Sequence, residues 1–172
     1  MPRINVNDGP IGADFATAET LDALAPGTVF SLEQFLALQS EGRQPPEPFA
    51  VQLSAQDDPE RLAGHFERIA VIAVAFDAFA DGRGFSTAAL LRERYGFSGE
   101  LRAVGSVIAD QLGFLKRVGF DTVELDPRHM ARAQAALEAI DVAYQPAADP
   151  SDPFIPAMVA RRRAQSLPEG QP

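Results

Sequence analysis

The chain contains no cysteine. That absence removes disulfides, thiolate nucleophiles, Cys-ligated zinc, Cys-held iron–sulfur clusters and dithiol redox chemistry. Histidine is scarce, with only His65 and His129, so a histidine-rich metal site is not expected either. Tryptophan is missing and tyrosine occurs twice, which leaves few aromatic platforms for a flat cofactor. Positive charge is in deficit: a net charge of -9 argues against nucleic acid or an anionic membrane surface as the main partner. No apolar run approaches the roughly 20 residues of a membrane helix. The N-terminal stretch Met1-Pro-Arg-Ile-Asn-Val-Asn-Asp lacks the apolar core of a secretory signal. The expectation is a soluble, cytoplasmic protein with neither metal nor cofactor of its own.

What is present is enough hydrophobic sequence, 46% of 172 residues, for one packed domain with tails. The apolar run Ile69–Phe76 has the composition of a buried strand. It leads into Asp81-Gly-Arg-Gly-Phe-Ser86 and then a helix-like segment, Thr87–Tyr95. A Gly-rich turn at the exit of a buried strand lies where parallel α/β sheets place ligands.

The flanking chain repeats this strand-to-helix rhythm. Thr28–Phe30 reads as a strand, and Ser31 with Gln34 forms a capping box before a helix that Gly42 ends. Phe49–Leu53 is a strand, and Asp58-Pro59 opens a helix to about Arg68 that buries Leu62 and Phe66. A helix over Phe85–Tyr95 ends at Gly96, and Glu100–Val104 is the next strand. Gly105-Ser106 opens a helix through Val118, and Asp121–Leu125 is a further strand. After the cap Asp126-Pro127 comes a helix striped by Met130, Ala133, Leu137 and Ile140; Val142–Tyr144 completes the pattern. Together these predict an α/β fold of parallel βα units, about six strands and about five helices, as an open sheet or a partial barrel-like half. Residues 1–27 form an N-terminal arm with one loose turn at Thr20–Leu24. Residues 28–145 form the α/β domain, and 146–172 a flexible tail with one docked turn at Met158–Ala164.

Three runs carry a family resemblance: Asp81-Gly-Arg-Gly-Phe-Ser, Leu90-Leu-Arg-Glu-Arg-Tyr-Gly-Phe-Ser-Gly-Glu-Leu-Arg-Ala-Val-Gly105, and Asp110-Gln-Leu-Gly-Phe-Leu-Lys-Arg-Val-Gly-Phe-Asp121. They resemble the bacterial domain-of-unknown-function family "nine-three-four", densely over residues 69–125 and more loosely over 28–145. Members are commonly encoded beside sulfite reductase and other sulfate-assimilation genes, and some are described as oxidoreductases of sulfite reduction. The resemblance implies an accessory protein of assimilatory sulfite reduction, acting with sulfite reductase or a neighbouring pathway enzyme. Members often carry a cysteine near the position of Val118. Here that position is apolar, so a thiol cannot be general to the mechanism.

The residues themselves suggest a second class, a small-oxyanion-binding enzyme or sensor. Gly82 and Gly84 flank Arg83, so the backbone can form an anion nest while the guanidinium binds sulfite, sulfate or phosphate. The competing reading is a tight turn in which Asp81 accepts backbone N–H bonds and Ser86 caps the helix. Glu100 and Arg102 share one face of a strand. Arg102 is then either a second anion ligand or part of an ion-pair network with Asp81 or Asp110. Asp110 and Gln111 open a helix after the neighbouring strand, so they can converge on the same edge. Asp110 is either a general base or a carboxylate favoured by the helix dipole. Proton transfer would fall to Asp81 or Asp110, and binding to Gly82, Arg83, Gly84, Ser86, Arg102 and Gln111. Arg92, Arg94, Lys116 and Arg117 read as exposed helix faces, and His65 and His129 as ordinary surface residues. Gly82-x-Gly84 lacks the third glycine of a dinucleotide fingerprint. A homodimer is a further expectation.

Overall fold

Side chains along each central strand alternate between two environments, and that alternation sets the architecture. The computed structural model describes residues 2–7, 14–18, 24–78 and 80–138. Within them, β1 (Arg3–Asn5), β2 (Ala16–Thr17), β3 (Thr28–Ser31), β4 (Phe49–Leu53), β5 (Val71–Phe76), β6 (Glu100–Gly105) and β7 (Thr122–Glu124) form one sheet. Its order is β1-β7-β6-β5-β4-β3-β2, with β2 to β7 parallel and β1 antiparallel to β7. Phe30, Val51, Ile72 and Leu101 are Cα partners in one row across four strands, each with no exposed surface. The adjacent row, Ser31, Gln52, Ala73, Arg102 and Thr122, faces the other way and is polar or small.

Because neighbouring parallel strands are also consecutive in sequence, right-handed crossovers send every connection over the same face. The sheet curls into a half-barrel, the barrel-like of the two expected forms. Among the described residues, four α-helices and, between the first and second of them, two 3-10 turns accompany it: α1 (Leu32–Ser40), the turns at Pro59–Leu62 and Phe66–Arg68, α2 (Arg83–Ala89), α3 (Leu112–Arg117) and α4 (Pro127–Glu138). The core between the layers is rich in phenylalanine, with Phe30, Phe35, Phe49 and Phe120 fully buried. Each such ring contributes about 1.5–3 kcal/mol relative to exposure.

Several local expectations hold in atomic detail. Ser31 Oγ accepts the Gln34 N–H at 3.2 Å while Gln34 Oε1 accepts the Ser31 N–H at 2.8 Å. Gly42 ends α1 with φ +69, and Arg43 N–H closes back on Leu38 O at 2.9 Å. Others differ. The helix expected over 58–68 is broken because Gly64 adopts φ +83, leaving two 3-10 turns. The helix expected from Phe85 or Thr87 starts at Arg83, and its last turn widens into a π turn over Leu90–Arg94. Gly105 is the last residue of β6 rather than a helix start, and α3 is preceded by a 3-10 turn at Ala109–Gln111.

The expected arm also contributes to the sheet. β1 pairs with β7 on one edge and β2 with β3 on the other, so the arm covers both bare strand edges. Arg3 of β1 forms an ion pair with Asp14, just before β2. The turn at Thr20–Leu24, apart from Leu24, lies outside the described residues. So do Ile140, Val142–Tyr144 and the tail 146–172.

Arg92 departs most from expectation. Its side chain is 13% exposed. Nε donates to Gly119 O at 2.9 Å, Nη1 to Phe97 O and to Gly99 O at 2.9 Å, and Nη2 to the Asp121 carboxylate. Asp121 also accepts the Leu101 N–H at 2.7 Å. This network joins the segments entering β6 and β7. Truncating a largely buried charge leaves its partners unpaired. Arg92→Ala is expected to cost about 3 kcal/mol, read as a lower urea midpoint, and Arg92→Lys to recover only part of it because an ammonium lacks the planar fork.

Candidate functional site

β5, β6 and β7 are adjacent and parallel, so their carboxyl ends open on one edge. Gly105 closes that edge tightly. With φ +93, it has no room for a Cβ, which would lie 2.6 Å from Phe76 O. The following Ser106 donates its N–H to Phe76 O at 2.7 Å and its hydroxyl to Asp77 O at 3.2 Å. Beyond β7, Asp126 starts α4: Oδ1 accepts the Arg128 N–H at 3.0 Å, and Oδ2 forms an ion pair with Arg128 Nε at 3.2 Å. A cleft of about 660 Å³ lies among these three strand ends. Asp77, Ser106, Asp126, Arg128 and His129 supply its polar lining, and Ala78, Val107 and Ile108 its apolar lining.

The Asp81–Ser86 motif leaves the same β5 end but is absent from that lining. Asp81 turns on its own neighbour, accepting the Arg83 N–H at 3.1 Å, Nε at 2.9 Å and Nη2 at 2.6 Å. These side-chain and backbone hydrogen bonds from Arg83 lower the Asp81 pKa to about 2. Asp81 also raises the Arg83 pKa. Asp81 thus accepts the first N–H of α2, and Ser86, expected as the cap, sits exposed inside the helix. The two glycines differ in purpose. A Cβ on Gly84 would meet the Phe76 ring at 2.6 Å, so Gly84 lets α2 pack on β5; Gly82 has open space and φ -77.

Arg102 lies mid-strand on the face of the sheet opposite the described helices, 5% exposed. Its carboxylate partners are Glu100 (Nη2–Oε1 2.8 Å) and Glu124 (Nη1–Oε1 4.0 Å), in place of the expected Asp81 or Asp110. Thr122 donates to Glu100 Oε1 at 2.6 Å, and Phe15 of the arm stands 5.9 Å over the guanidinium. The reason for the changed partners is register: Arg102 pairs with Thr122 across β6–β7, which brings Glu100 and Glu124 to the same face. Asp110 is exposed in the 3-10 turn before α3, and Gln111 Oε1 accepts the Ile108 N–H at 3.3 Å. Neither lines the cleft. His65, expected at the surface, packs edge-on against Phe35 with centroids 5.2 Å apart.

The cleft residues Asp77, Ser106, Asp126, Arg128 and His129 are the ones that motif reading passed over. Asp77 and Ser106 directly follow the last residues of β5 and β6, and Asp126 stands two beyond β7. Applying the carboxyl-end rule to the positions just past each strand, instead of to the glycine motif, finds them. Among the described residues no helix is long and apolar enough to cross a membrane.

Residues 50–155, more than half of the chain, match the family model described as bacterial proteins of unknown function (DUF934). No curated protein matches the chain.

Two expectations test the motif's local roles. The Asp81 carboxyl, followed by 13C NMR, should titrate near 2 and move toward the ordinary 3.8 in Arg83→Gln. Its depressed pKa makes the linked stabilisation complete above about pH 4 and progressively lost as pH falls toward 2. Gly84→Ala should cost about 1–3 kcal/mol through overpacking on Phe76, whereas Gly82→Ala should stay within about 0.5 kcal/mol, both read by urea unfolding.

Proposed function

The chain belongs to the bacterial DUF934 family of unknown function, and we propose that it is an accessory protein of assimilatory sulfite reduction, acting in the cytoplasm by binding sulfite reductase or a neighbouring pathway enzyme. The observation that carries this reading is an aromatic ridge that runs from the core to the surface. Phe120 and Phe85 pack on Phe76 with centroids 6.0 and 5.1 Å away, and Phe114 packs on Phe85 at 4.8 Å. Phe114, on α3, is 47% exposed. A ring held from behind loses little freedom when a partner covers it, and aromatic anchors dominate interface energetics.

The charged groups of the motif support binding over turnover. Asp81, with a pKa near 2, is a weak proton acceptor at neutral pH. Arg102 is enclosed by carboxylates. The redox chemistry then belongs to the partner. A homodimer formed through the same ridge would compete with that partner.

A second reading, a small oxyanion at the Asp81–Ser86 turn, is favoured by one observation. The Arg83 side chain is 55% exposed although paired with Asp81. Exposed ion pairs are worth little, so sulfite, sulfate or phosphate can take over the guanidinium.

Tagged protein is expected to retain sulfite reductase from an extract of the producing cells. Phe114→Asp should weaken that complex at least about tenfold without lowering the melting temperature by more than a few degrees. Arg83→Ala should leave the complex intact. Equal retention by the Phe114 variant, or none by the wild type, sinks the docking reading. Thermal stabilisation by one oxyanion, lost in Arg83→Ala, would instead establish the second.

A further inference from the structure

We propose that the cleft at the carboxyl edge of β5, β6 and β7 is a binding site for a small zwitterion, with its ammonium group at Asp77 and its oxyanionic group at Arg128 and His129. This site does not include the Phe114 ridge or the hydrogen bonds of the Asp81–Arg83 pair, although Asp77 lies within electrostatic reach of Arg83, and it stands whether or not the docking reading holds.

The spacing comes from the sheet. Asp77 follows β5 and Arg128 follows β7, with β6 between them. Neighbouring strands lie about 4.8 Å apart, so the ends of β5 and β7 that carry the two walls stand roughly 10 Å from each other. Such a span suits a short ligand whose charged ends engage both walls.

The walls differ in charge. Asp77 is exposed, and no hydrogen bond from a described side chain reaches its carboxylate, which interacts with Arg83 only through longer-range charge attraction. On the opposite wall, Asp126 holds Arg128 through the backbone N–H and Nε, which orients the guanidinium and leaves its terminal amino groups as donors. His129 adds a ring nitrogen on the same wall. An anion alone is attracted by Arg128 and repelled by Asp77, and a cation alone meets the reverse. A zwitterion satisfies both walls at once. The floor between them suits a short carbon chain: Val107 is buried with Ile108 beside it, and the Ser106 hydroxyl, already donating to Asp77 O, keeps lone pairs for an ammonium N–H.

The test is isothermal titration calorimetry on the full chain with β-alanine and taurine as zwitterions, and ethanesulfonate and ethylammonium as the single-charge halves of taurine. At least one zwitterion is expected to bind about tenfold or more tighter than either half. Asp77→Asn and Arg128→Gln should each reduce that binding by a similar factor, with unchanged melting temperatures. Phe114→Asp should bind like the wild type. Failure of both zwitterions to bind at millimolar concentration overturns the proposal. So does ethanesulfonate binding as tightly as taurine, which would leave a plain anion site. Undiminished binding in both cleft variants would place the ligand elsewhere.

Discussion

One guanidinium group ties together the two segments that enter β6 and β7. Arg92 reaches carbonyls at Phe97, Gly99 and Gly119 and the carboxylate of Asp121. These backbone acceptors lie at the amino edge of the sheet, where strand pairing has not yet begun, and a buried carbonyl left alone is costly. Two features make the reach possible. The π turn over Leu90–Arg94 carries Arg92 at the end of α2, and Gly119 lacks the Cβ that would meet Arg92 Cγ at 2.6 Å. Fixing one end of a short, rigid strand fixes the other. The positions of Ser106 and Asp126 at the carboxyl edge therefore depend on a residue at the opposite edge.

The sheet divides its work by location. Its amino edge is stitched by Arg92 and Asp121, its face opposite the described helices holds Arg102 among Glu100, Glu124, Thr122 and Phe15, and its carboxyl edge carries the cleft. The glycines of the three resembling runs thus serve different ends. Gly84 permits helix packing, Gly105 a close strand exit, and Gly119 the passage of an arginine stem. A motif dense in glycine and arginine here records tight packing as much as ligand contact.

What was legible in the sequence was local. Ser31 and Gln34 stand three apart and bond each other; Gly42 sits where a left-handed residue ends a helix; the apolar runs became strands. The order of those strands was not legible; the structure makes it consecutive and realises the half-barrel, one of the two forms in view. What escaped was long-range. Nothing adjacent to Arg92 marks Gly119 or Asp121 as its acceptors, and its helical spacing resembles that of any solvent-facing arginine. Gly64 gave no warning because Leu62 and Phe66 keep helical spacing across it, although the backbone between them does not. Arg102 required partners, but register decided which carboxylates they were.

The arm that supplies β1 and β2 has a consequence for how the molecule comes into being. β3 to β7 follow one another in space as in sequence, so each can join as it leaves the ribosome. β1 is made first, yet its partner, β7, is among the last described strands to appear. Throughout synthesis Arg3–Asn5 must wait unpaired, and the outer edge of β7 stays open until they arrive. Closing that long loop is the slow, non-local step of such a topology. A nascent chain of this protein therefore remains sticky along one border of β7 until β1 returns to seal it.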